Sequence, residues 1–202
     1  MFLIKNTDDD ADRIAHGSLL YEVYVEEKKW IDPSTLSGTH EADDLDKQST
    51  LMVAYDLVGD PIACLRVIHQ GLLPLPVERP PFNIKISRDR PCAEISRLAV
   101  RREHRGNELL LAGLFRQATQ IIADSSVEDV YALVERPLFV LLTYMGFPFV
   151  ALGDPVEYFG GYVMPAHGHL SEVSDSIRIR RPKYAKLYDS RFDGWIDAEM
   201  CE

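Results

Sequence analysis

A guanidinium at Arg66 sits in the middle of Leu65-Arg66-Val67, inside an otherwise apolar strand-like run. Burying it alone is expensive, so a carboxylate partner is expected. Arg97, in Glu94-x-Ser96-Arg97, obeys the same logic. Asp43 and Asp46 belong to the acidic tract Glu41-x-Asp43-x-x-Asp46. They would brace Arg66 and Arg97 in an ion-pair network, recognise an ammonium group, or form no more than a solvated acidic loop. Glu94 is either a strand-end carboxylate paired with an arginine or, with its pKa raised by partial burial, a proton acceptor. Ser96 has no histidine near it in sequence and is not read as a nucleophile.

These groups lead into residues 93–123, which read as a strand (AEISRLAV), a basic turn (RREHRGNE) and a helical run (LLLAGLFRQATQIIA). Leu111, Leu114, Phe115, Ala118 and Ile121 or Ile122 recur at helical spacing, the mark of one buried stripe. A strand, a cationic loop and a helix N-terminus in this order favour a bound phosphate, held by Arg101, Arg102, Arg105 and Gly106; the alternative is a βα connection with a solvated loop. Strand alternation places Glu94 and Arg97, three apart, on opposite faces. Bringing both to one site requires an inserted residue, so a β-bulge is predicted between Ile95 and Val100, freeing the N–H groups of Leu98 and Val100.

The rest of the chain supplies the supporting elements. Residues 12–29 read as an amphipathic helix ending in Tyr24 and, just beyond, Trp30; residues 30–48 form a long loop. Strands are predicted over 51–58 and 62–69, joined at Gly59-Asp60-Pro61. The proline-rich residues 70–91 read as an extended surface excursion. A strand over 127–134, a helix from Pro137 to Met145 capped by Gly146, and strands over 147–152 and 158–164 complete an α/β order. One domain spans 1–202, with a core over about 10–166 and a tail, 167–202, that folds back through Tyr188, Phe192 and Trp195.

The 202 residues are 46% hydrophobic and 27% charged, a globular composition with no apolar run near the roughly 20 residues of a membrane span. No signal-like segment opens the chain, so a cytoplasmic location is expected. A net charge of −10 argues against nucleic acid as a partner, although the basic stretches at 97–105 and 178–186 could hold an anion locally. Cys64, Cys92 and Cys201 lack metal-ligand spacing and are read as reduced thiols. His167-Gly168-His169 could place two imidazoles on one strand face, but with no third ligand in view no metal site is expected.

Tyr24 and Trp30, the Glu-x-Asp-x-x-Asp loop, Arg66 and Glu94-x-x-Arg97, in this order, resemble the acyl-homoserine-lactone (autoinducer) synthases and the long-chain N-acyl amino acid synthases. Arg105-Gly106 resembles part of the acyl-coenzyme A loop of the GNAT acyltransferases, with Glu108 where that superfamily has Gly or Ala. The proline-rich excursion and the Tyr158-x-x-Gly161-Tyr162 run are similar to exosortase-associated acyltransferases. Leu20 stands where the autoinducer synthases carry an arginine, which tilts the resemblance toward the broader group. The resemblance implies a GNAT-like fold with a mixed, splayed central sheet flanked by helices. It implies transfer of a fatty acyl group from acyl carrier protein or acyl-coenzyme A, as donor substrate and not as resident cofactor, to a small amine. Glu94 would be the base; Asp43, Asp46, Arg66 and Arg97 would position the acceptor. Trp30, Tyr24 and Ser96 would line the substrate, and Leu98 and Val100 would meet the donor's pantetheine. Glu108 would disfavour a pyrophosphate and so favour a carrier protein. The alternatives are an acetyl-coenzyme A-dependent N-acetyltransferase and a silent acyl-binding module.

Overall fold

The computed structural model describes residues 1–7, 9–36, 38, 43–189 and 191–196. Glu41 and Cys201 lie outside these residues. The chain opens with β1 (Phe2–Asn6), which the sequence reading missed, and α1 (Asp10–Leu20), whose first turn is capped by the Asp9 carboxylate accepting from the Asp12 N–H at 2.8 Å. The helix continues as a π-helical segment, Tyr21–Glu27, so the predicted single helix is two segments of different pitch. The hairpin follows as β2 (Ser49–Tyr55) and β3 (Pro61–His69), then β4 (Cys92–Val100), α2 (Glu108–Asp124), β5 (Asp129–Glu135) and α3 (Arg136–Tyr144). Short strands β6 (Val150–Ala151) and β7 (Val156–Tyr158) precede β8 (Gly161–His169). The tail forms α4 (Leu170–Arg180), α5 (Ala185–Asp189) and β9 (Trp195–Ile196).

Among the described residues the strands join one sheet in the order β6-β8-β5-β4-β3-β2-β1-β9, with β7 on β8. β4 and β5 are parallel, joined across α2; their neighbours pair antiparallel. Leu110, Leu114, Phe115, Ala118 and Ile122 of α2 are each at most 2% exposed and pack on Ile4, Met52, Leu65 and Ile95, so the predicted helical stripe is the core's main seam. On the other sheet face α1 packs Leu19 and Leu20 against Val53, Cys64 and Ala99.

The predicted end of the last strand at Pro165 is corrected, since β8 runs on to His169. The Pro165 carbonyl accepts from Leu152 N–H at 2.8 Å on the β6 side. Within an antiparallel strand its ring nitrogen faces the same way, so the missing N–H leaves the ladder to β5 intact. The tail does fold back. Phe192 and Leu187 are buried, Tyr188 packs against the core, and Ile196 occupies the space where a Cβ on Gly113 of α2 would stand. Trp195, expected inside, is 45% exposed because β9 puts its neighbour Ile196 inward instead. No helix among the described residues is long and apolar enough to cross a membrane.

Candidate active site

The sheet opens where β4 changes course. Its pairing with β5 ends at Ile95–Ala132, while its register with β3 shifts between Cys64 and Arg66, opposed by Ala99 and Ser96. Arg97 carries the extra residue at φ 55°, so the predicted bulge is present. Beyond it Arg101 N–H donates to Ile62 carbonyl at 2.9 Å, toward β3. The Val100 N–H, one residue back in extended chain, therefore points toward the side that β5 has left.

A cavity of about 190 Å³ occupies this opening. Glu94, Arg66 and Tyr158 line it on one face of the sheet; Phe115 and Leu138 line it from the helical face. Residues of both faces border a single space, so the cavity passes through the sheet between β4 and β5. One end is ionic and the other apolar.

The ionic end is built from a short turn. Asp43 caps the 3₁₀ turn Asp44–Gln48, accepting from Leu45 N–H at 2.8 Å, while the Asp46 carboxylate accepts from Asp43 N–H at 3.3 Å. This three-residue spacing is a reciprocal capping box, and it also turns both carboxylates toward β3. There a single Arg66 nitrogen donates to Asp43 Oδ1 at 2.7 Å and to Asp46 Oδ1 at 2.6 Å, while its Nε reaches Ser96 Oγ at 3.0 Å. Arg97, turned to the same face by the bulge, donates to Asp43 Oδ2 at 3.0 Å. Burial raises the Asp43 pKa, but the two guanidiniums outweigh it and hold the carboxyl below its ordinary value. The partner expected for buried Arg66 is thus present, and the solvated-loop alternative for Asp43 and Asp46 does not hold.

Glu94 is 0% exposed. Its Oε2 accepts from Val77 N–H at 2.9 Å, and its buried Oε1 has no hydrogen-bond partner among the described residues. Burial pushes its pKa up to about 8, against the Val77 hydrogen bond and the nearby Arg66 and Arg79 charges. Val77 comes from residues 70–91, so that segment is more than a surface excursion: Leu75, Pro76 and Val77 are buried beneath the site. The same segment brings Arg79 into the cavity wall, a residue the sequence reading missed. Its Nε donates to Pro74 carbonyl at 3.0 Å, and it has no carboxylate partner among the described residues. His16 of α1, also missed, lies buried behind the ion network; burial lowers its pKa to about 4 and keeps it neutral.

Aromatic groups close the top. The Tyr24 hydroxyl donates to Leu98 carbonyl at 3.1 Å, and its ring meets Trp30 edge-on at 5.1 Å between centroids. The Trp30 indole is wedged against the β7–β8 turn at Gly160 and Gly161, and Phe159 of that turn lies 5.2 Å from the Arg97 guanidinium. Gly160 has φ +70°, and a Cβ there would stand 3.0 Å from Trp30 Cα, whereas one on Gly161 meets only ring atoms at 3.4 Å. Gly160→Ala is expected to lower stability by about 1–2 kcal/mol in urea unfolding and Gly161→Ala by less than half of that. Equal losses would contradict the wedge.

In the basic turn, expected to hold a donor phosphate through Arg101, Arg102, Arg105 and Gly106, two of the arginines are paired with carboxylates. Arg101 pairs with Glu22 at 3.0 Å and Arg105 forms a two-pronged pair with Glu27 at 2.6 and 2.7 Å. Both carboxylates come from the π-helical segment. Arg102 is mostly exposed, 3.7 Å from Glu27. Gly106 supplies the turn at φ +81°, and Asn107 Oδ1 caps α2 by accepting from Leu109 and Leu110 N–H. Glu108 is held by Lys183 and the Tyr184 hydroxyl, both at 2.8 Å. An anion bound at this turn would have to compete with carboxylates already in place.

Comparison with solved structures gives the fold its relatives. The structure of FeeM, an N-acyl amino acid synthase from uncultured soil microbes, superposes with a TM-score of 0.70 at 14% identity, over 90% of this chain and 97% of that one. The acyl-homoserine-lactone synthase LasI gives 0.70 at 13% identity, over 88% and 94%. An N-acetyltransferase described as such from Lactobacillus plantarum gives 0.61 at 19% identity, over 84% and 98%, so the GNAT-like architecture is shared. No curated protein matches the sequence. The family model described as N-acyl amino acid synthase FeeM matches residues 15–150, which include the second half of α1, the Asp43–Asp46 turn, the bulged strand, the basic turn after it and the opening of the sheet. The chain belongs to the N-acyl amino acid synthase FeeM family.

Proposed function

We propose that this chain transfers a fatty acyl group from the thioester of an acyl carrier protein or coenzyme A to the amino group of a small acceptor bearing a carboxylate, an amino acid or a close derivative. The observation that carries the reading is Glu94: a fully buried carboxylate with one oxygen held by Val77 N–H and the other without a partner among the described residues, in a cavity wall that also presents Arg79. In its ionised form Glu94 takes the acceptor's ammonium proton. The free amine then attacks the thioester carbonyl, the C–S bond breaks, and the nitrogen's remaining surplus proton leaves with the thiolate as thiol. The Val100 N–H, aimed into the opening, supports a role in holding the donor, and the apolar end at Phe115, Val134 and Leu138 suits an alkyl chain. One domain carries the reaction, and the buried free thiol of Cys92 suits a reducing cytoplasm.

Mass spectrometry of products from acyl-carrier-protein and acyl-coenzyme A donors of graded length, offered with amino acids and with the corresponding decarboxylated amines, tests this. Amide formation with long-chain donors and amino acids is expected. Turnover restricted to acetyl-coenzyme A would replace the reading by an acetyltransferase, and binding without turnover by a silent module. Arg79→Met is expected to raise KM for the amino acid about tenfold to a hundredfold, the worth of one charged hydrogen bond, and to leave KM for the decarboxylated amine unchanged. Equal effects on both would remove Arg79 from acceptor recognition.

A further inference from the structure

We infer that Asp129, His167 and His169 form a binding site for one first-row divalent cation, apart from the cavity. His167 and His169 are two apart in β8 and so project from the same sheet face. Antiparallel pairing sets Asp129 of β5 directly opposite His169. The three side chains therefore converge from two adjacent strands, on a frame whose register is fixed along seven consecutive pairs, from Asp129–His169 to Glu135–Val163. Asp129 Oδ1 lies 2.9 Å from His167 Nε2 and 3.1 Å from His169 Nδ1, and the ligand atoms all fall within 4.8 Å of one another.

Two imidazole nitrogens and a carboxylate oxygen suit zinc, cobalt or nickel, with bonds of about 2.0–2.2 Å and remaining positions open to water. Such bonds require the three atoms to be roughly 3.3 Å apart, close to the carboxylate–imidazole separations that the strands already impose. The surroundings supply support. The Tyr131 ring packs on His167 at 4.8 Å between centroids and limits its rotation. Arg90 approaches the other oxygen, Oδ2, at 3.7 Å, leaving Oδ1 to the imidazoles, and its second contact is with exposed Glu128 at 3.8 Å. Asp129 is 13% exposed and the imidazoles 22% and 39%, so an ion can enter from solvent. Along β5 the site is about three residues, on the order of 10 Å, from the first cavity-lining residue of that strand, Ala132. The cation would clamp β5 to β8 and to the start of α4 without taking part in acyl transfer.

The test uses tag-free full-length protein treated with chelator and then dialysed. Titration with Co²⁺, followed by visible absorption and calorimetry, is expected to show one saturable site free of thiolate charge-transfer bands, displaced by Zn²⁺. Zn²⁺ is expected to raise Tm of the wild type. His167→Gln and His169→Gln should each weaken Co²⁺ binding at least about tenfold and remove the Tm increase, while His104→Gln, in the donor loop, leaves both unchanged. Melting of the metal-free variants verifies that they fold. The absence of a saturable site in the wild type, or binding retained in both β8 variants, would overturn the assignment.

Discussion

Glu94→Gln is expected to reduce kcat for amide formation by about a hundredfold to ten-thousandfold, the usual contribution of a positioned general base, while leaving the protein more stable. Glutamine fills the same space. Its carbonyl oxygen can accept from Val77 N–H as Oε2 now does, and its amide nitrogen then faces the cavity. What disappears is the ability to take a proton. The pH profile sharpens the test. With a pKa near 8, the carboxyl of the free enzyme is mostly protonated at neutral pH. One proton must leave the pair made by Glu94 and the incoming ammonium, so log kcat/KM should climb with a slope near one from pH 6 and flatten above about pH 8. Retention of activity in the variant, or a flat wild-type profile across this range, would remove Glu94 from the chemistry.

Stability moves in the opposite sense. The carboxyl has an ordinary value of 4.5 and is raised to about 8 in the fold. Below pH 4.5 it is protonated whether folded or unfolded and incurs no ionisation penalty. As pH rises from 4.5 to about 8 the unfolded chain ionises and the folded one does not, so this group's contribution falls across that window and then levels. Glu94→Gln should therefore raise Tm measured at pH 8 by several degrees, on the order of what 1–2 kcal/mol produces in a chain of this size, and should have little effect at pH 4.5. A site residue whose removal stabilises the fold is being kept for a purpose other than folding.

The strongest parts of this site were legible because they break ordinary rules. Arg66 in an apolar strand demanded a carboxylate, and Glu94 three residues from Arg97 demanded a bulge; both inferences follow from burial cost and strand periodicity alone. The β4–α2–β5 unit was legible because its apolar stripe is long and regular. What was hidden depends on contacts between distant residues. Phe2–Asn6 is too short to show a pattern, and its place in the sheet comes from pairing with β2 and β9. Arg79 and Val77 lie in a proline-rich stretch without periodicity, inserted beneath the cavity by the burial of Leu75 and Pro76. Glu22 and Glu27 read as the solvated face of a helix; nothing local shows that they reach Arg101 and Arg105, nearly eighty positions later. Asp129 meets the β8 histidines only through strand register.

Arg66→Met is expected to destabilise the fold by about 3 kcal/mol in urea unfolding, the low end for breaking a buried ion pair, because Asp43 and Asp46 retain 29% and 20% exposure and can partly rehydrate. Arg66 itself is 3% exposed and holds three groups at once, so its loss leaves two carboxylates facing each other beside an unpaired Ser96 hydroxyl. Adding Asp43→Asn and Asp46→Asn removes that repulsion. Asparagine also caps a turn well, so the triple variant should regain about half of the loss or more. Activity should not return with it, because Asp43 also holds Arg97 at the bulge. The acid limb of the stability curve gives an independent reading. Asp43 is held below its ordinary value of 3.8, so its contribution is fully present above that pH and fades only as pH falls further. The triple variant lacks that fall. Strictly additive losses across the three positions would mean that the carboxylates and the guanidinium act separately; recovery of stability without recovery of turnover would show that the network is retained to place Arg97 and the acceptor.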